Sequence, residues 1–306
     1  MVYDIIIVGG GPAGLTAAIY GARANKSVLV LEKDIFGGQI TNSAMVENFP
    51  TQKHIRGVDF GYALKEQARG LGATLRYETV LEVGRPEAIE VDLGEPIDTE
   101  VPLWVARCDG GNVYMGRTVI MAIGTTPRTI DLDHDVPVHY CAICDGAFFK
   151  GKDVVVVGGA NTAVQDAIYL SSICDTVNIV YRGPRLRAES KLVARLADYP
   201  NVFVHCNVTV ESVIVYEGAL SGVRLSNGKL LHAEGFFAAI GNVPNRDPLQ
   251  LSAPKDDDGY YNAESLTLEP GLYVAGDCRS KKRRQLTTAV SDGTIAAMEA
   301  IDYLNN

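Results

Sequence analysis

An α/β fold with two nucleotide-binding starts is predicted by two segments of one pattern: a β-branched apolar run, a glycine-rich turn, a helix and a second strand. The other sign is glycine itself, 31 in 306 residues, above the ordinary ~7% and suited to sharp turns and close approach of backbone to a ligand. The length gives room for two domains. Hydrophobic residues at 47% and charged residues at 21% are ordinary globular proportions and exclude a disordered or fibrous chain. Acids outnumber bases 37 to 28, a net charge of −9, which argues against a general nucleic-acid binder.

The first strand is Asp4–Val8, in an N-terminal stretch that has an acid and no basic leader. It reads as a buried parallel strand and not as a signal peptide. Gly9-Gly10-Gly11-Pro12-Ala13-Gly14 follows, then a helical run over Leu15–Ala24 and a strand over Ser27–Leu31 ending in Glu32. This is G-x-G-x-x-G in its structural context. Gly9 allows the tight turn, Gly11 lets a pyrophosphate approach, and Gly14 lets the helix pack on the sheet. The helix N-terminus offers N–H groups to phosphate, and Glu32 can accept from ribose hydroxyls.

Val119–Ile123 reads as a strand leading into the Gly124–Pro127 turn. The second start is Lys152–Val157, followed by Gly158-Gly159-Ala160-Asn161-Thr162-Ala163, a helix to about Ser172 and a strand over Asp175–Tyr181. Here Ala160 sits where a second glycine is expected, and no acid ends the next strand. Arg182, Arg185 and Arg187 follow instead, and guanidinium groups suit a 2′-phosphate. Val202–Val215 and Leu220–Leu225 read as antiparallel strands closing this unit, and Phe236–Ile240 leads into a second Gly/Pro turn at Gly241–Asn245. Leu272–Ala275 is a strand ending in Gly276-Asp277, and a last helix runs from about Leu286 to Leu304.

No apolar run approaches the ~20 residues of a spanning helix, so no membrane partner is expected. Six cysteines are too sparse for a secreted disulfide scaffold, and a cytoplasmic location is expected. Only Cys141 and Cys144 are closely paired. A structural zinc site needs four ligands, and besides His139 no further Cys/His pair stands nearby. The alternatives are two inert thiols or a redox pair, in which one thiolate attacks and the second resolves the mixed disulfide. Asp145 beside Cys144 then suits a proton donor and acceptor. A dinucleotide site together with a redox pair points to flavin, which passes electron pairs between hydride carriers and disulfides.

Taken in order, Gly9–Gly14, Gly37-Gly38-Gln39, Val46–Pro50, Cys141–Gly146, Gly276-Asp277 and Arg284-Gln285 resemble the low-molecular-weight thioredoxin reductases over nearly the whole chain. The resemblance implies two Rossmann-like, three-layer ββα domains, the second inserted in the first. Residues 1–114 and 244–306 would bind FAD, and residues 115–243 would carry the C-x-x-C on an NAD(P)H-type fold. Gly9, Gly11, Gly14 and Glu32 would hold the adenosine end of FAD. Gln39 and Asn48 would contact the flavin region, Asp277 the ribityl chain and Gln285 the ring. Pro12, Ala13, Gly38, Gly124 and Arg284 complete the cofactor set. Cys144 would receive electrons from flavin, Cys141 would attack thioredoxin or a thioredoxin-like partner, and Asp145 would be the acid–base. The family is homodimeric.

The resemblance breaks at the NADPH motif. Gly158, Ala160, Asn161, Thr162, Arg182 and Arg187 are the positions expected to take the nucleotide, with Ala160 in place of glycine, Tyr181 of histidine and Gly183 of arginine. A lost charge-assisted contact costs on the order of 1.5–3 kcal/mol. The run Arg279-Ser280-Lys281-Lys282-Arg283-Arg284 packs five positive charges into six residues. It reads either as a solvated loop near the FAD phosphates or as a docking patch for an acidic carrier such as ferredoxin. The donor therefore stays open between NADPH and such a carrier. Two other readings stand beside the reductase: a ferredoxin–NADP⁺ oxidoreductase-like flavoprotein, whose known members lack the C-x-x-C, and a non-catalytic flavin-binding protein.

Overall fold

The computed structural model describes residues 1–43, 46–89, 102–245, 247–263 and 265–306. It divides into one unit of Met1–Thr126 with Val243–Asn306 and a second of Pro127–Asn242. In the first unit β1 (Val2–Val8), α1 (Pro12–Arg23) and β2 (Val28–Glu32) form the predicted βαβ start. Then come α2 (Gly57–Gly70), β3 (Thr74–Tyr77), the antiparallel β4 (Val80–Gly84) and β5 (Trp104–Cys108), and the nine-residue β6 (Val113–Met121).

The chain crosses out through β7 (Thr125–Pro127). The second unit contains β8 (Val138–His139), the one-turn α3 (Ala142–Asp145), β9 (Asp153–Val157), α4 (Asn161–Ser171), β10 (Thr176–Tyr181), α5 (Ser190–Ala194) and β11 (Val202–Cys206). A three-stranded antiparallel sheet follows, β12 (Val210–Tyr216), β13 (Ala219–Leu225) and β14 (Leu230–His232), and then β15 (Gly235–Ala238). The chain returns through β16 (Asn242–Pro244), which pairs with β7. The first unit is completed by β17 (Thr267–Glu269), β18 (Leu272–Val274) and α6 (Leu286–Asn305).

The first sheet has the order β17-β18-β6-β1-β2-β3, with β5 on β6 and β4 on β5. Its β1 is apolar at successive positions because both faces are covered. Ile5 and Ile7 join a core with the alanine-rich α1 and α6, while Ile6 and Val8 join Trp104, Val119 and Met121 on the other face. Because β6 lies between β1 and β18, a domain boundary at 114/115 would cut a central strand. The first unit therefore extends to Thr126, beyond the boundary expected from the sequence.

The second sheet, β11-β10-β9-β15-β8, is parallel throughout. Helix α4 covers one face through Ala163, Ala167 and Leu170, and the antiparallel sheet covers the other through Val213, Val223 and Leu225. These are three layers, ββα. One expectation is corrected here. Val202–Val215 is two strands, and Val202–Cys206 pairs parallel to β10; only the part from Val210 joins the antiparallel sheet. Alternation alone reports that one face is more buried than the other, not which neighbour a strand takes.

Candidate active site

The first turn is built around β1, α1 and Glu32. Gly9 has φ +106°, and a Cβ there would stand 2.3 Å from the Ala122 carbonyl oxygen. A Cβ on Gly14 would stand 1.9 Å from the Gly9 carbonyl oxygen, so that residue lets α1 meet the strand. Gly11 is different: a Cβ there would meet nothing within 4 Å. Pro12 opens α1, whose N-terminus has no side-chain cap, leaving N–H groups directed at this space. Ala13 is buried beneath Gly276 and Gly293. The Glu32 carboxylate is buried and accepts from the N–H of Gly10 at 2.6 Å and of Asp34 at 2.9 Å.

Other predicted residues lie around this turn with unequal commitments. Gly38 (φ +60°) packs on Gly11, a Cβ there being 3.0 Å from the Gly11 Cα. Gln39 donates its side-chain amide to the Thr125 carbonyl, next to Gly124. Asn48 is exposed, in the loop bridged by Val46 and Ile55. Gln285 caps α6, its side chain accepting from the backbone of Thr288 while Thr288 Oγ1 accepts from the Gln285 N–H at 3.0 Å. Asp277 lies in the turn before α6, with Lys281 Nζ 3.2 Å from its Oδ1, and burial raises its carboxyl above the usual range.

The basic run is not one patch. Arg279 and Lys281 turn inward to Asp292, at 2.9 and 3.0 Å, and the Gly276 N–H donates to the same carboxylate at 3.1 Å. The Arg284 guanidinium stacks 3.9 Å above the Tyr260 ring and donates to the carbonyls of Asp277 and Arg279, both at 3.1 Å. Lys282 and Arg283 are exposed. Asp292 was not among the sequence candidates. Its signal was an acid inside an otherwise small and apolar helical stretch, Ala289–Ala297, just after a run of bases.

In the second turn, Gly158 N–H donates to Val180 O at 3.0 Å, as Gly9 N–H does to Leu31 O at 2.8 Å. That register places Tyr181 where the first unit has Glu32. The Tyr181 ring lies against Gly159 and Gly183, whose Cβ atoms would fall 2.4 and 2.6 Å from it. Ala160 is the exposed N-cap of α4. Asn161 is tied to Glu189, its side chain donating to the carboxylate at 3.1 Å and accepting from the Glu189 N–H at 2.8 Å. Thr162, Arg182, Arg185 and Arg187 are exposed, and the Arg187 N–H donates to the Gly159 carbonyl at 2.6 Å.

The cysteines form a disulfide, Cys141–Cys144, at the start of α3. Cys141 is the N-cap, and the Cys144 N–H donates to its Sγ at 3.2 Å, a contact that favours negative charge on that sulfur. Asp145 Oδ2 lies 2.8 Å from His139 Nδ1, with the two side chains only 14% and 18% exposed. His139 is held in β8 opposite Phe237, and its ring packs against Phe149 and Phe237 at centroid distances of 5.0 and 5.3 Å. The sequence offered this histidine only as an incomplete zinc ligand. Among the described residues no cluster of three or more potential ligands could hold a metal ion, and no helix is long and apolar enough to cross a membrane.

The chain is similar along its length to known proteins. The thioredoxin reductase of Bacillus subtilis (strain 168) is 36% identical over 315 residues, covering 99% of this chain and 95% of that protein. The thioredoxin reductase structure from Streptococcus pyogenes MGAS5005 has a TM-score of 0.85 at 31% identity, covering 99% and 98% of the two chains. That from Giardia duodenalis has a TM-score of 0.86 at 29% identity, covering 99% of each. The sequence model of pyridine nucleotide-disulphide oxidoreductases matches residues 3–293, and the chain belongs to that family.

Proposed function

We propose that this chain is a flavin-dependent thioredoxin-disulfide reductase. The observation that carries the reading is the Cys141–Cys144 disulfide next to a carboxylate, in a chain whose first unit has an open dinucleotide cradle at Gly11. The first turn fits FAD: room for a pyrophosphate at Gly11, uncapped N–H groups on α1 and a fixed carboxylate at Glu32 for ribose hydroxyls. When bound, FAD supplies a two-electron carrier between a nicotinamide and a disulfide. Pro12, Ala13 and Gly14 shape the turn; Gly38, Gln39, Asn48, Gly124, Asp277, Arg284 and Gln285 would hold the rest of the cofactor.

Cys144 takes the electron pair and Cys141 passes it on. In the dithiol state the Cys141 thiolate attacks a thioredoxin disulfide, and Cys144 resolves the mixed disulfide. Asp145 moves the protons that leave the cysteines and reach the partner's thiolates. NADPH is the donor, taken at Gly158, Ala160, Asn161 and Thr162 with Arg182 and Arg187 for its 2′-phosphate. Tyr181 in place of an acid removes the repulsion a carboxylate would exert on that phosphate. A homodimer in a reducing, cytoplasmic setting completes the reading.

Ala160 and Gly183 favour a second donor, an acidic carrier such as ferredoxin at Arg279–Arg284. The inward ion pairs of Arg279 and Lys281 and the stacking of Arg284 leave that patch with Lys282 and Arg283 outermost. Anaerobic mixing of the oxidised holoenzyme with NADPH is expected to bleach the flavin. Bleaching by reduced ferredoxin and by neither nicotinamide would replace the donor. Cys144→Ser is expected to abolish thioredoxin reduction by dithionite-reduced enzyme, and retained turnover would refute the disulfide's role.

A further inference from the structure

We propose that His139 is a positioning residue for Asp145, and that the pair, not the carboxylate alone, handles the protons of thiol–disulfide exchange. The inference rests on the reading of Asp145 as acid–base. Its ground is the 2.8 Å contact between His139 Nδ1 and Asp145 Oδ2, both groups largely withdrawn from water. The histidine's own position is fixed twice, by the pairing of β8 with β15 and by the rings of Phe149 and Phe237. The other carboxylate oxygen, Asp145 Oδ1, is buried and has no hydrogen-bond partner among the described residues. A buried carboxylate oxygen left unpaired is costly, and a catalytic role is one of the few reasons a native fold keeps one. The imidazole holds Oδ2 and fixes the rotamer, and Oδ1 is left as the atom that takes and returns a proton.

The exchange balances as follows. Cys141 gives its proton to the pair, and its thiolate forms a bond to one partner sulfur as the partner's S–S bond breaks. The departing thiolate takes that proton. Cys144 then gives its proton to the pair and attacks Cys141 Sγ, reforming the Cys141–Cys144 bond. The second partner thiolate leaves and is protonated. Two electrons and two protons have passed to the partner, and the pair ends in its starting state.

From the packed helix α4, Tyr169 lies against Gly146 beside the pair's loop, and Asp166 shares its helix face. Burial pushes the Asp166 carboxyl up to about 7, so it is the group to be told apart from the pair. Phe149 and Phe237 present no charge.

The test follows thioredoxin thiols formed by pre-reduced holoenzyme, across pH, for His139→Gln, His139→Phe, Asp145→Asn, the double variant His139→Gln/Asp145→Asn, and Asp166→Asn. His139→Phe keeps the aromatic packing. Both His139 variants are expected to slow the exchange about tenfold or more and to move its pH profile, with flavin content unchanged; Asp145→Asn is expected to cost about 100-fold. The double variant is expected to be no slower than Asp145→Asn. An unchanged rate and profile in the His139 variants overturns the proposal, as do single effects that multiply in the double variant. So does a pH limb that survives His139→Gln and disappears with Asp166→Asn. An unchanged Asp145→Asn rate, by contrast, refutes the acid–base reading on which the proposal stands.

Discussion

Gly11 and Ala160 stand at the same place in two turns of nearly one shape. Each is the N-cap of the helix that follows, with φ −75° and ψ −175° at Gly11 and φ −96° and ψ −176° at Ala160. Any residue adopts that conformation. Gly9 and Gly158, by contrast, both have positive φ, +106° and +151°, and in each a Cβ would strike a backbone carbonyl oxygen, of Ala122 or Ala239. The glycine that the fold requires is present in both units. The glycine required only to leave room is present in the first and absent from the second. A missing side chain of the second kind is a sign of a ligand; one of the first kind is a sign of a turn.

Two acids, one buried and one half-buried, give a parallel contrast. In the first unit Asp292 is surrounded by Arg279, Lys281 and the Gly276 N–H. In the second, Asp166 has no ion pair or hydrogen bond among the described residues, and desolvation pushes its carboxyl up to about 7. One acid has ionic and hydrogen-bonding partners within 3.1 Å, and on the other desolvation acts alone.

The largest effect is expected from Asp292→Asn, which leaves inward-turned Arg279 without its counter-charge and Lys281 with Asp277 alone. Breaking a buried ion pair by removing one partner costs about 3–5 kcal/mol, to be read from urea unfolding; a loss below 1 kcal/mol would mean that the cluster is solvated. Next comes Gly11→Ala. Forcing a methyl into an occupied space costs about 1–3 kcal/mol, or about ten- to a hundredfold in FAD affinity, measured as flavin retained on dilution. Full retention would show that the open space at Gly11 is not where the cofactor lies.

Ala160→Gly is the reciprocal experiment, with a smaller expected gain of about three- to tenfold in NADPH affinity, since the bound nucleotide can shift. If equilibrium titration shows no gain, the methyl is not what distinguishes the two turns. The remaining prediction is a pH dependence and concerns Asp166. Its folded-state value near 7 lies above the unfolded ~3.9. The stability it contributes is complete below the unfolded value and is lost as pH rises toward 7. Asp166→Asn is expected to flatten that decline between about pH 4 and 7, and an equal slope in both proteins would remove Asp166 as its source.

Much of this was legible in order along the chain. Repetition of strand, glycine turn and helix indicated the two units, because each feature is set by residues a few positions apart: apolar runs for β1 and β9, the glycines for the turns, Glu32 for the end of β2. The spacing of Cys141 and Cys144 was local in the same way. The parallel pairing of Val202–Cys206 with β10 was not, nor was the extension of the first unit through β6, since both depend on which distant strand becomes a neighbour.

Charge shows the same limit most clearly. The sequence alone determined that five cations fall between Arg279 and Arg284, that Ala160 carries a methyl and that Asp145 adjoins a redox pair. Only the tertiary structure decided that Arg279 and Lys281 face Asp292, and that His139 reaches Asp145 from another element. Local chemistry is fixed by covalent order. Which side chains meet is fixed by helices and strands folding back on one another, and an ion pair or hydrogen bond exists only within a few ångströms.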